Sequence, residues 1–182
     1  GNEYLASFSR RRLTAEEIRD SLLMVSGNLD LTVAEGHPFP PEASWGFSQH
    51  NPFAAVYDTN RRSAYLMVQR QRRHPYLALF DGADPNSSTG LRQVTTVPTQ
   101  ALYFLNDSFF HTQAAGVSRR VLAVAESQRI EALFGRLYQR LPTESERLAG
   151  VAFLERYPGS SDEKWSAFAR VLLASNEFLY LD

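Results

Sequence analysis

Two stretches decide the fold: Leu141-Pro142-Thr143-Glu144-Ser145-Glu146 and Pro158-Gly159-Ser160-Ser161-Asp162-Glu163. Each sets a hydroxyl residue three positions ahead of a glutamate. That is a capping box, in which the two side chains reciprocally satisfy orphan amides at a helix start. Thr143 with Glu146 opens a helix carrying Leu148, Val151 and Ala152, which Pro158-Gly159 terminates. Ser160 with Glu163 opens the last helix, where Trp165, Phe168, Ala169, Leu172 and Leu173 form a broad apolar face. A third box, Thr14-Ala15-Glu16-Glu17, starts a helix with Ile18, Leu22 and Val25 at helical spacing and Gly27 as its stop.

Between these anchors the pattern remains helical. Pro98 suits a first helical turn, with Thr96 or Val97 at the cap, and the helix runs through Leu102 to about Leu105. Asp107 or Ser108 starts the next, whose Phe110, Ala114, Val117, Val121 and Val124 trace one stripe. Gly116 inside it costs about 1 kcal/mol relative to alanine unless a neighbour packs closely there. Ile130, Phe134, Leu137 and Leu141 mark another helix, closed by Pro142. Short linkers favour antiparallel neighbours. The expectation is a mainly α single domain over 1–182: a lead-in at 1–13, a helix at 14–27, and a compact bundle of short helices at 98–182.

Three other regions interrupt that bundle. Residues 28–52 lose periodicity, with Gly36, Pro38, Pro40, Pro41 and Gly46 making a long irregular loop that carries His37, Trp45, Phe47 and His50. Within 53–69, the runs Phe53 to Tyr57 and Ser63 to Val68 flank Asp58-Thr59-Asn60 and read as one small β-hairpin. Arg61, Arg62, Arg70, Arg72 and Arg73 lie around its second strand, either as a phosphate- or glycan-binding ribbon or as solvated edge decoration. Residues 80–97 form a polar loop.

Composition narrows the class of function. Of 182 residues, 43% are hydrophobic and 21% charged, values of a globular chain that can bury a core. A net charge of −1 supplies no field for nucleic acid, and no apolar run approaches the roughly 20 residues of a membrane span. Cysteine is absent, which excludes disulfides, thiolate metal sites, thiol nucleophiles and covalently attached c-type haem in this segment. No G-x-S-x-G elbow, P-loop or dinucleotide fingerprint occurs, and His37, His50, His74 and His111 form no H-x-x-x-H pair, so no catalytic residue is assigned.

The candidate binding residues concentrate in the polar loop. Asp81, Asp84, Asn86 and Ser88 offer the oxygen ligands calcium requires, although their spacing is not that of an EF-hand. The alternative is a turn in which Asp and Asn bond their own backbone around Pro85. Asp81 and Asp84 can also be read as a glycosidase carboxylate pair. Arg92, Thr96 and Gln100, with Thr95 and Thr99, crowd a helix N-terminus. They either hold an anion or cap the helix and tie the loop to it. Trp45 either stacks on sugar or pins its loop to the domain body.

Ordered blocks along the chain resemble one family. Arg11-Arg12-Leu13-Thr14-Ala15-Glu16-Glu17-Ile18-Arg19-Asp20-Ser21-Leu22-Leu23, Arg62-Ser63-Ala64-Tyr65-Leu66, Phe80-Asp81 and Thr95-Thr96-Val97-Pro98-Thr99-Gln100-Ala101-Leu102 are similar to motifs of the planctomycete-specific C-terminal domain of unknown function. Leu141-Pro142-Thr143-Glu144-Ser145-Glu146 and Ser175-Asn176-Glu177-Phe178-Leu179-Tyr180 resemble its closing blocks, with Ala174 where an asparagine is expected. The resemblance implies the C-terminal portion of that domain, at the end of a large exported, extracytoplasmic protein that commonly carries an upstream partner domain. In family members, haem belongs to a separate cytochrome domain. It implies no reaction. The leading expectation is therefore a non-catalytic module that packs against an upstream domain or a partner. The alternatives are a polysaccharide-acting enzyme or glycan binder, and a dock for a c-type cytochrome domain of the same protein.

Overall fold

A computed structural model describes residues 9–33, 35–37, 39–46, 50 and 53–181. Its regular elements are β1 (Arg11–Arg12), α1 (Ala15–Ser26), α2 (Pro75–Leu79), α3 (Pro98–Asn106), α4 (Ser108–Leu122), α5 (Arg129–Tyr138), α6 (Glu144–Arg156), α7 (Ser161–Leu173), α8 (Asn176–Leu179) and β2 (Tyr180–Leu181). Single turns of tighter helix occur at Glu42–Ser44, Ser63–Tyr65 and Glu126–Gln128. The mainly α expectation holds.

All three capping boxes form. Thr14 Oγ1 accepts from the Glu17 amide at 3.3 Å while Glu17 Oε2 accepts from the Thr14 amide at 2.8 Å. The Thr143–Glu146 and Ser160–Glu163 boxes repeat the pattern at α6 and α7. Gly27 closes α1 in the left-handed region at φ 75°, where the absence of a Cβ removes the steric penalty. With α1 and α7 started by capping boxes and α4 by Asp107, which accepts from the Phe110 amide, these three helices present coherent apolar faces to one another. Ile18, Leu22, Phe110, Ala114, Val117, Ala169 and Leu173 are wholly buried at the centre.

Helix α4 lies against α1 and α7, and Gly116 explains how closely it meets α1. A Cβ there would stand 2.9 Å from Ser26 Cβ and 3.2 Å from Ser26 O. The glycine is thus retained for close approach, the condition under which its helix cost is offset. Around it, Gln113 Oε1 accepts from Ser26 Oγ and from Asn28 Nδ2, both at 2.8 Å, and Arg120 Nε donates to Ser26 O at 2.8 Å.

Helix α5 ends earlier than the apolar stripe suggests. Gln139 adopts φ 56°, which turns the chain out of the helix before Pro142 and leaves Leu141 71% exposed. Arg140 follows and grips two acids: its guanidinium meets Glu146 Oε1 and Glu177 Oε1, each at 2.6 Å, joining the starts of α6 and α8. Ser175 caps α8 through the Phe178 amide and meets Tyr138 Oη at 2.8 Å, so the closing Ser-Asn-Glu-Phe motif fastens the C-terminus to α5.

The single small β element lies elsewhere than at 53–69. It is the antiparallel pair β1–β2, with Arg11 opposite Leu181 and Arg12 opposite Tyr180, and it brings the two ends of the bundle together. Among the described residues, 53–57 and 63–68 form no ladder. Helix α1 takes the backbone groups that a hairpin would need. Arg19 donates to Arg61 O at 2.9 Å and also to Thr59 O, while Asp20 Oδ1 accepts from the Ser63 amide at 2.7 Å. Asp30 then bridges the Asn60–Arg61 segment in parallel. The neighbouring arginines stitch loops rather than form a free ribbon: Arg61 faces Asp30, Arg62 faces Asp20, Arg72 donates to Phe53 O and Arg73 to Gly82 O.

Candidate functional site

Sequence expectation gathers Asp81, Asp84, Asn86, Arg92, Thr96, Gln100 and Trp45; the structure joins Asp81 and Gln100 through Arg12, keeps Asp84 and Asn86 in one turn and sets Thr96 with Gln100 on a cleft wall, while Arg92 and Trp45 have other partners. Helix α2, which the sequence pattern does not announce, ends at Phe80. Asp81 then takes φ 60°, a left-handed conformation that an aspartate tolerates better than most side chains. This turn directs its carboxylate at β1. Arg12 meets Asp81 Oδ2 at 2.6 Å, with side chains 7% and 15% exposed. The Thr95 amide and hydroxyl donate to the same carboxylate, each at 2.8 Å. Arg12 also donates to Thr95 O and, at 3.3 Å, to Gln100 Oε1, while Gln100 Nε2 donates to Leu79 O at 2.9 Å. Burial alone would raise the Asp81 carboxyl, but Thr95 and Arg12 outweigh it and hold the group below its ordinary value.

This is a staple joining β1, the end of α2 and the start of α3, with both carboxylate oxygens of Asp81 engaged. Asp84 Oδ1 accepts from the Asn86 amide at 2.9 Å, the self-bonded turn, and Asn86 Nδ2 donates to Arg70 O. Ser88 is exposed. Among the described residues no three His, Asp or Glu side chains converge as metal ligands. Arg92 pairs with Glu16 at 2.6 Å, and Thr96 is exposed at the start of α3. Trp45 packs edge-on to Phe39 and Phe53, with ring centroids 6.1 and 5.1 Å away, and donates to Pro40 O at 3.1 Å. That cluster folds the loop onto itself and stays outside the main core. Pro38, Phe47 and Pro52 lie outside the described residues.

Beside the staple opens a cleft of about 610 Å³ between α3 and α7. Ala101, Phe104 and Leu105 line one wall and Ala167, Arg170, Val171 and Ala174 the other. Phe153 and Tyr157 of α6, with Leu179 and Tyr180, complete it. The lining is largely apolar, and Leu105 and Val171 are 66% and 55% exposed. Two guanidiniums interrupt it. Arg12 Nε is buried without a hydrogen bond to any described residue. Arg170 reaches Tyr157 Oη at 3.5 Å and ion-pairs with no carboxylate among the described residues. Arg12, Thr96, Gln100, Leu179 and Tyr180 of the sequence blocks quoted above line this cleft, but nothing in the local pattern of α7 signals that Val171 stands exposed beside them.

The staple residues sit in the blocks that carry the family likeness, and residues 1–154 match the family described as PSD1, Protein of unknown function (DUF1553). The chain belongs to this family. The matched region holds β1, the staple, α3 and most of α6, whereas α7 and α8 lie beyond it. No match is found among curated proteins or among solved structures. No helix of the described residues is long and apolar enough to cross a membrane.

Proposed function

We propose that this DUF1553 domain is a non-catalytic packing module whose α3–α7 cleft receives an apolar segment bearing an acidic side chain. The segment's source is the polypeptide that precedes the domain. The observation that carries this reading is the cleft itself: an apolar trough with exposed Leu105 and Val171 at its walls and, within it, Arg170, which meets no carboxylate among the described residues. Burying such a patch is favourable, and a carboxylate would complement the guanidinium. Strand β1 supports the source, because Arg12 and its partner Tyr180 both line the cleft and the chain therefore enters the fold beside it. Asp81 of the polar block is occupied with holding the fold, which favours the trough over that loop as the surface that packs against the segment. The family resemblance supports setting this module at the end of a larger exported protein.

The test mixes this domain with the region that precedes it in the full reading frame. Association at micromolar concentration, weakened at least tenfold by Val171→Asp and by Arg170→Glu, is the expected result. Val171 is exposed, so its substitution leaves folding intact. Absence of association, or association indifferent to both changes, overturns the reading. Capture of a separate protein in the cleft would refute the intramolecular source.

A further inference from the structure

A second cleft, of about 640 Å³, opens away from the first, between residues 56–60, the start of α2 and the α3–α4 junction. Its floor contains a histidine with no assigned role. His74 is 8% exposed, and its Nδ1 is closed off without a partner. No hydrogen bond joins either ring nitrogen to a described residue. Buried polar groups are almost always satisfied; Nδ1 is sealed from any ligand, so Nε2, which also lacks a partner among the described residues, is the nitrogen that a molecule in the cleft would complete. Burial, reinforced by Arg19, lowers its pKa, so the ring is a neutral donor and acceptor.

The surrounding charges define what fits. Arg19 forms part of the floor, but its guanidinium is turned to Arg61 O, Thr59 O and Ser63 Oγ, packs over Phe109 at 5.4 Å and has Asp20 at 3.8 Å. It offers no free arm to an anion. Asp107 and Asp58 line the same cleft and would repel one. A compact cation would in turn face Arg19 across the floor. Tyr57, Tyr103 and Phe109 contribute aromatic rings to the lining, Phe109 with Arg19 over it, and Asp107, which accepts from the Phe110 amide at 3.1 Å and interacts with the Tyr103 hydroxyl, keeps further acceptor capacity.

Aromatic faces, a neutral imidazole and a carboxylate acceptor, in a volume within the usual ligand-site range, describe a receptor for a neutral hydroxylated molecule. We propose that this cleft binds a neutral sugar unit. The ring C–H face lies on Tyr103 and Tyr57, and hydroxyls hydrogen-bond to His74 and Asp107. The site is separate from the α3–α7 trough and does not depend on that trough's role.

The experiment follows the His74 imidazole C–H signals by NMR in this domain while glucose, galactose and neutral disaccharides are titrated, with inorganic phosphate and choline in parallel. Saturable shifts with at least one neutral sugar at millimolar concentration are expected, reduced at least tenfold by Thr112→Trp, which fills the cleft from an exposed position of α4. Asn60→Ala, also exposed, is the milder second variant should the tryptophan perturb folding. No His74 response to any sugar at tens of millimolar overturns the proposal. Saturable binding of phosphate or choline instead overturns the assigned ligand class.

Discussion

Replacing Asp81 by asparagine tests whether the polar block is a staple. Asparagine keeps the shape and tolerates the left-handed backbone at φ 60°, so the substitution removes charge while adding little strain. Truncating one member of a buried ion pair typically costs about 3–5 kcal/mol, because the remaining charge is left uncompensated. Arg12 is 7% exposed and would be that charge, but Asp81 itself is 15% exposed and the amide oxygen can still accept from Thr95. The discounted expectation is a loss of about 2–3 kcal/mol. Urea titration followed by far-UV circular dichroism would show it as a lowered midpoint at unchanged slope. A double-mutant cycle with Arg12→Met should return a coupling of about 2 kcal/mol. A loss below about 0.5 kcal/mol, with no coupling, would refute the staple, since exposed pairs behave that way.

Calcium should leave the melting temperature unchanged, because Asp81 is engaged by Arg12 and Thr95 and Asp84 by the Asn86 amide; a rise of several degrees would show a site there. Gly116→Ala should destabilise by about 1–3 kcal/mol in the same urea titration, since its Cβ would meet Ser26 at 2.9 Å, whereas an unconstrained helix would gain stability. Acid should weaken the fold in a defined window. Arg11, helped by Thr14, lowers Glu17 from 4.5 to about 2, and Arg140, helped by Thr143, lowers Glu146 by the same amount. Folded-state values below the unfolded ones give stability that is fully present above about 4.5 and lost as pH falls towards 2. Melting temperature across that range should fall less in Glu17→Gln/Glu146→Gln than in the parent protein.

The capping boxes made α1, α6 and α7 legible because each is a local device written in four consecutive residues, and the structure forms all three. The stripe of α4 was legible for the same reason of short range, whereas the tolerance of Gly116 rests on Ser26 of α1, far away in sequence. Misplacing the β element has a long-range cause. Phe53 to Tyr57 and Ser63 to Val68 carry strand-forming side chains, but Arg19 and Asp20 on α1 claim the backbone between them. Conversely, β1 and β2 are two residues each and about 170 positions apart, a pairing that local pattern cannot announce. Gln139 stopped α5 through a left-handed backbone that its side chain does not signal.

The candidate site was legible only in part. Asp81 and Gln100 stood out as polar residues in a turn-rich block, yet their partner Arg12 lies far away in sequence, so the same residues read equally as metal or sugar ligands. The α3–α7 trough was not legible as a cleft, although Thr96 and Gln100 line it, because it arises where two helices distant in sequence each leave an apolar edge uncovered. His74 was one of four scattered histidines until folding placed it on a cleft wall.

Hydrogen exchange, compared between this domain alone and the domain joined to the preceding segment that the proposal invokes, tests the packing role most directly. Helix α3 leaves Leu102 and Leu105 more than half exposed, so its amides should open readily in the isolated domain. The account predicts that 98–106 and the outer turns of α7 exchange markedly more slowly in the longer protein; identical exchange in both would contradict it.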